Sequence, residues 1–230
     1  MITDQTVEFY EPVCLLGGGA ADPDRLRHAL RLAPRLVAAD GGANMALAKG
    51  FTPDLVIGDF DSVTAATLAA IPPERQIRVP EQETTDFEKC LTRLEAPFVL
   101  GLGFLGPRLD HTLAVFSALL RHAQKLCLLV GAVDVVFAAP PRFTADLVPG
   151  SRFSLFPMLP CRGSSQGLRW PIDGLAFAPD GVIGTSNQVA GPVDVAFDRP
   201  GMLIILPVDA LDPVLRALRS GPRWPSPAGR

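Results

Sequence analysis

Leu55-Val56-Ile57-Gly58-Asp59-Phe60-Asp61-Ser62 is the stretch whose reading orders the rest of the chain. Three branched apolar residues predict a short buried strand. Gly58 then lets the backbone turn, and two carboxylates follow with one residue between them. Acids this close repel each other, so a fold that aims both at one place normally holds a cation there. Alone, the pattern also fits a solvated loop in which Asp59 and Asp61 cap a following helix, since Asp is favoured at caps and turns. The neighbouring segments weigh between these readings.

Upstream, Val13–Leu16 and Leu36–Ala39 predict two strands, running into Gly17-Gly18-Gly19 and Asp40-Gly41-Gly42. Asp22-Pro23 reads as an N-cap with proline at N1 of a helix, and Ala43–Lys49 as a second helix closed by Gly50. Downstream, Ala65–Ala70 and the segments from Thr85 to Leu91 and from Leu109 to His122 predict helices, with a threonine capping the second. Between them, Gln76–Val79, Phe98–Leu100 and Leu126–Val130 predict strands. Such regular alternation implies a parallel sheet covered on both faces, a three-layer α/β domain. After about Val133 the helical periodicity stops. Short segments broken by Pro and Gly follow (Asp134–Ala138, Arg152–Phe156, Val182–Gly184, Val193–Phe197, Met202–Leu206), the pattern of an antiparallel β-sandwich. A boundary at Pro140-Pro141 gives domains 1–139 and 140–230. Leu211–Leu218 predicts a last helix, and the tail after Gly221 is expected to be loose.

Bulk properties narrow the functions. The chain has 230 residues, 48% of them hydrophobic, a formal net charge of -3 and a pI near 5.6. That balance gives no electrostatic footprint for nucleic acid or an anionic membrane. No apolar run approaches ~18 residues, and the first residues lack the basic and apolar regions of a signal peptide. Cys14, Cys90, Cys127 and Cys161 form no C-x-x-C pair and read as buried thiols in a reducing cytoplasm.

In a parallel sheet, all loops leaving the carboxyl ends of the strands open on one edge, where open α/β sheets bind ligands. Asp40, the Asp59–Asp61 pair, Asp86, and Arg108 with Asp110 are all predicted on that edge, beside Gly41-Gly42, Gly101, Gly103 and Gly106. Acids suited to Mg²⁺, with backbone N–H groups and an arginine for phosphate, are the parts of a nucleotide-dependent phosphoryl-type transferase. Two other patterns overlap this one. Gly101-x-Gly103-x-x-Gly106 has the dinucleotide spacing, but the ribose-binding acid expected ~20 residues on is replaced by Lys125-Leu126-Cys127-Leu128-Leu129, and Pro107 interrupts the helix start. Ile57 to Val63 also fits the D-x-D-x-V strand of aspartyl phosphatases, with Asp59 as nucleophile and Asp61 as acid/base. That chemistry needs a balancing lysine, for which Lys89 and Lys125 are the candidates.

Taken together, Ala39-Asp40-Gly41-Gly42-Ala43-Asn44, Pro53 through Ser62, Thr85-Asp86-Phe87-Glu88-Lys89 and Arg108-Leu109-Asp110-His111-Thr112-Leu113 resemble the thiamine pyrophosphokinase (thiamine diphosphokinase) family in order and spacing. Gly167-Leu168-Arg169-Trp170-Pro171 and Thr185-Ser186-Asn187 resemble two elements of its second domain. The resemblance implies pyrophosphoryl transfer from ATP to the hydroxyl of thiamine, giving thiamine diphosphate and AMP. It also implies an α/β domain followed by a β-sandwich, Mg²⁺, and a homodimer that binds thiamine near the domain junction with help from the partner subunit. On matching positions, Asp59, Asp61 and Asp86 would be catalytic and would hold Mg²⁺. Asp40, Gly41, Thr85, Arg108, Asp110 and His111 would bind ATP, and Ser186, Asn187 and Trp170 would bind thiamine. Asp86 or Asp61 would take the hydroxyl proton. The chain departs from the family pattern at Glu83, where an Asp is usual, and at Pro107, which removes a backbone donor. A non-catalytic nucleotide or thiamine sensor stays open beside the phosphatase as an alternative.

Overall fold

The computed structural model describes residues 6–226. The chain divides into two compact units: residues up to 118 with 129–132, and 119–128 with those from 133 on. The first contains β1 (Val7–Glu8), β2 (Val13–Leu16), α1 (Pro23–Leu32), β3 (Arg35–Ala39), α2 (Gly42–Ala48), β4 (Leu55–Gly58), α3 (Ala65–Ala70), β5 (Gln76–Arg78), α4 (Asp86–Arg93), β6 (Leu94–Glu95) and β7 (Val99–Leu102). The division between units falls within α5 (Leu109–Arg121) and β8 (Cys127–Val130).

Within the first unit the strands run in the order β7-β2-β3-β4-β5, each pair parallel, with Leu15 opposite both Val37 and Gly101. Every residue of β2, β4 and β7 is buried, as a sheet covered on both faces requires. The chain builds outward from β2 through β3, β4 and β5, then crosses back to place β7 on the other side of β2. The order therefore reverses between β2 and β7. At such a switch point the two connections leave in opposite directions and open a crevice beyond the carboxyl ends of the strands. The glycine loop after β2 and the one after β7 meet there: Gly17 N–H donates to Leu102 O at 2.8 Å and Gly19 N–H to Gly103 O at 3.0 Å. A Cβ on Gly19 would lie 2.5 Å from Gly103 O, so these glycines serve close approach of two backbones.

Local chemistry explains the helix starts. Asp22 accepts from Asp24 N–H and Arg25 N–H, both at 3.0 Å, ahead of Pro23 at the first helical position. Gly42 opens α2 against the end of β2, where a Cβ would sit 2.0 Å from Leu16 O. Gly42→Ala is therefore expected to destabilise the fold by about 2 kcal/mol or more, because backbone must move to admit it. Urea unfolding of the variant beside the parent chain measures this.

The second unit contains β9 (Asp134–Ala138), β10 (Arg142–Ala145), β11 (Arg152–Pro157), β12 (Cys161–Leu168), β13 (Ala176–Phe177), β14 (Gly184–Phe197), β15 (Met202–Pro207) and α6 (Leu211–Ser220). The pairings between its strands are antiparallel, and one isolated bridge, Phe177 to Val182, is parallel. The 14-residue β14 serves two sheets, its first part pairing β11 and its last part β10 and β12. β15 pairs both β11 and β9. Between them, Phe137, Phe143 and Phe153 form a buried aromatic row with centroids 5.4 and 6.4 Å apart. The α/β unit followed by an antiparallel one is the architecture read from the sequence. The tail differs from expectation, since the Trp224 indole N–H donates to Ala139 O at 2.8 Å. All four cysteines are free and buried, with burial pushing the Cys14 and Cys127 thiols up to about 12. No helix among the described residues is long and apolar enough to cross a membrane.

Candidate active site

The loop after β4 is shaped from below by Asp40. Only 1% exposed, this carboxylate accepts Phe60 N–H at 2.8 Å through Oδ1 and Ser62 N–H at 3.1 Å through Oδ2. Two charge-assisted bonds from one buried acid fold the Asp-Phe-Asp-Ser turn over it. Gly58 makes room, because a Cβ there would stand 2.7 Å from the Asp40 side chain. Phe60, at φ 68, packs against the cluster of Ala38, Ala43, Val56, Val63 and Ile71, so the acids on either side turn away from the core. Asp40 itself has φ 45. Two non-glycine residues in the left-handed region mark a backbone held by its surroundings, a common property of functional loops. Asn44 secures the far side, donating to Ser62 O at 2.7 Å and accepting Thr64 N–H at 3.0 Å.

The result brings carboxylate oxygens of Asp40, Asp59 and Asp61 within 4.8 Å of one another. Asp86 reaches the group through α4 rather than by direct proximity. Thr85 caps that helix by accepting Glu88 N–H at 3.3 Å. One turn on, Lys89, 2% exposed, sets its ammonium 2.8 Å from Asp59 and 3.2 Å from Asp86. Burial would raise the Asp59 pKa, but Lys89, the Asp61 N–H and the Gln82 amide together pull it down to about 2. Burial dominates at Asp86, and with the charges of Asp40 and Asp59 it outweighs Lys89, so its pKa is raised. Two acids sharing one ammonium thus titrate apart. An all-oxygen donor set at this spacing, carrying more negative charge than one lysine neutralises, fits a hard divalent cation such as Mg²⁺.

A pH dependence follows. Because the folded pKa of Asp59 lies below its ordinary 3.8, its contribution to stability is complete above pH ~4 and is lost as pH falls toward about 2. Asp59→Asn is expected to flatten the acid limb of the melting temperature in metal-free buffer, as a thermal-melt series from pH 5 to pH 2 would show.

These groups line a cleft of about 590 Å³ at the switch point. Asp40, Gly41, Asp59, Asp61, Thr85, Asp86, Arg108 and His111 all face it, with the glycine loops 17–19 and 103–106 on its lining. Asp110 does not line it. Its two oxygens accept from Arg108 Nε at 3.3 Å and Nη2 at 2.7 Å in an exposed ion pair. Glu83 is exposed and off the lining, while its neighbour Gln82 lines the cleft and donates to Asp59 at 2.8 Å. In the sequence Gln82 and Gly17–Gly19 carry no site signal of their own, and Lys89 reads only as a candidate phosphatase lysine. Its spacing of three from Asp86 on one helix face was the available signal. The Gly101–Gly106 spacing has a simpler use than dinucleotide binding: Gly103, at φ 76, lets the loop pass against Gly17 O and Gly19 O.

In the second unit, Gly167 and Asn187 form the other residue group. Gly167, at φ 75, stands where a Cβ would lie 2.0 Å from Pro192 O, which turns the chain into Arg169-Trp170. The buried Asn187 donates to Trp170 O at 2.7 Å and accepts Trp170 N–H at 3.2 Å and Gln188 N–H at 2.8 Å. Trp170 is held by its backbone and, as a residue, is 52% exposed, so it is not a core aromatic. The Arg169 guanidinium lies 4.9 Å from the ring centroid, a cation–π contact.

Comparison with known proteins agrees with this layout. Residues 26–130 match the family model described as thiamin pyrophosphokinase, catalytic domain. The chain is 28% identical over 199 residues to thiamin pyrophosphokinase 1 of Caenorhabditis elegans, covering 77% of this chain and 80% of that one. It is 26% identical over 187 residues to thiamine pyrophosphokinase 1 of Oryza sativa subsp. japonica, covering 66% and 71%. In fold, thiamin pyrophosphokinase from Candida albicans superposes with a TM-score of 0.73 at 16% identity, over 89% of this chain and 94% of that one. Residues 26–130 are thus similar to the thiamin pyrophosphokinase catalytic domain, and the fold is that of solved thiamin pyrophosphokinases.

Proposed function

We propose that this protein transfers a pyrophosphoryl group from ATP to the hydroxyl of thiamine, giving thiamine diphosphate and AMP. The observation that carries the reading is the convergence of Asp40, Asp59, Asp61, Asp86 and Lys89 with two glycine loops in one cleft at the switch point. In the reaction the hydroxyl oxygen bonds to the β-phosphorus, and the bond from that phosphorus to the oxygen bridging the α-phosphorus breaks. Asp59 and Asp61 would hold Mg²⁺, with Asp40 and Asp86 beside them. The ion supplies neutralisation of charge building on the bridging oxygen.

The protein's own groups divide the remaining work. Lys89 is a fixed cation beside the transferred phosphates, buried where its charge acts through little water. Arg108, on the cleft lining, exchanges Asp110 for phosphate oxygens. Gly41, Thr85 and His111 complete the ATP end. Asp86 takes the thiamine proton: its raised pKa makes it the better base, whereas Asp59 near 2 is a poor one. Ser186, Asn187 and Trp170 would contact thiamine, the exposed Trp170 being suited to a flat cationic ligand. The enzyme works as a homodimer, which the exposed Leu175, Val182 and Ile183 of the second unit support. Four unpaired buried thiols support a reducing cytoplasm.

One observation favours the phosphatase alternative, the Lys89 ammonium against Asp59. The family match gives that alternative no support, and the same lysine also serves a kinase site. ATP labelled at the γ-phosphorus separates the two. Label in the terminal phosphate of thiamine diphosphate, with none as free phosphate, is the expected result. Label released as free phosphate contradicts the proposal.

A further inference from the structure

The Thr185-Ser186-Asn187 segment lies at a fault in the sheet. Phe153 of β11 pairs with Asn187 of β14, but Leu155 pairs with Gly184, so the single residue Ser154 faces both Thr185 and Ser186. This is a β-bulge, a device that bends a strand and re-aims its side chains. It takes Ser186 out of the ladder and into the left-handed region at φ 63, where a residue with a Cβ is strained. The Ser186 N–H, deprived of a strand partner, donates to Ser154 Oγ at 3.0 Å. Ser154 is only 3% exposed, and this hydroxyl is the group that satisfies the displaced amide.

On the other side of the bulge Asn187 is tied to the Trp170 backbone through both of its side-chain polar atoms. Ser186 is thus pinned at its own amide by Ser154 and at the next residue by Asn187. Its side chain is exposed, and its hydroxyl has no hydrogen-bond partner among the described residues. A strained backbone with a free, outward hydroxyl is a preorganised ligand contact.

We propose that Ser154 is a positioning residue for substrate: its buried hydroxyl holds the Thr185–Ser186 bulge and so sets the direction in which the Ser186 hydroxyl meets thiamine. This rests on the assignment of Ser186 to the thiamine end. Ser154 itself does not touch substrate and acts through Ser186.

The test is steady-state kinetics of Ser154→Ala, Ser186→Ala, the double variant and Ser154→Thr, varying thiamine and ATP separately. Ser154→Ala is expected to raise the KM for thiamine about tenfold, the scale of one lost hydrogen bond, with the KM for ATP within about twofold of the parent. Ser186→Ala gives a similar rise, and the double variant is no worse than Ser186→Ala alone, because the two residues act in series. Ser154→Thr, which keeps the hydroxyl, recovers most of the affinity. Should the alanine variant not fold, Ser154→Cys keeps the volume with a weak acceptor and is compared in the same way. Additive losses in the double variant, or equal changes in both KM values, would overturn the positioning role while leaving the thiamine end intact. An unchanged thiamine KM in Ser186→Ala would overturn the assignment of the thiamine end, and the positioning role with it.

Discussion

Asp61→Asn is expected to lower turnover about 10²–10³-fold while leaving the melting temperature close to that of the parent chain. The two halves of this expectation have separate causes. Asp61 is exposed and, among the described residues, its carboxylate bonds only the neighbouring Ser62 hydroxyl at 2.8 Å, a contact that an amide oxygen also accepts. The N–H that Asp61 gives to Asp59 is backbone and survives the substitution. The fold therefore has little reason to notice. Yet a carboxylate within 4.8 Å of those of Asp40 and Asp59 loses its charge, and the site loses part of its hold on a divalent cation. The check is kcat at saturating ATP, Mg²⁺ and thiamine, beside a thermal melt of the same sample. Near-normal turnover would sink the cation assignment.

Lys89→Met should damage both stability and rate. Its ammonium is almost sealed from solvent and neutralises two acids, Asp59 at 11% and Asp86 at 40% side-chain exposure. Removing one partner of a fully buried pair costs ~3–5 kcal/mol, but both carboxylates here reach water, so about 2 kcal/mol is the expected loss at neutral pH. Turnover is expected to fall by at least about 10²-fold, since a preorganised cation beside the transferred group is gone. A divalent cation can take over part of the neutralisation, so Mg²⁺ should raise the melting temperature more in Lys89→Met than in the parent chain. Thermal melts of both proteins with and without Mg²⁺ decide this. An unchanged melting temperature in metal-free buffer would show that the lysine does not hold the acids together.

Much of this site was legible in the sequence because its residues come from loops that follow apolar runs. Val13–Leu16, Leu55–Gly58 and Val99–Leu102 are buried along their whole length, so each announces itself and marks the loop after it. The acids were therefore traceable to one sheet edge. What stayed hidden is pairing between segments. Nothing local in Asp40 says that both its oxygens would be taken by Phe60 and Ser62 amides, making it a template as much as a ligand. Lys89 is one of two candidate balancing lysines in the sequence, and only the placement of α4 against a loop 30 residues earlier separates it from Lys125. β12 escaped notice for another reason: Gly163-Ser164-Ser165-Gln166 carries no apolar alternation, and only its ends, Cys161 and Leu168, are buried. Its place comes from β14 and not from its own pattern. The bulge at Ser154 is invisible for the same reason, because register belongs to two strands at once.

The central claim is the identity of the group transferred, and one incubation tests it most directly. Purified protein with ATP, Mg²⁺ and thiamine is sampled over time, and AMP, ADP, free phosphate and thiamine diphosphate are separated and counted. The account predicts AMP and thiamine diphosphate rising together in equal amounts, with neither ADP nor phosphate accumulating. ADP with a singly phosphorylated thiamine, or phosphate without AMP, would contradict it.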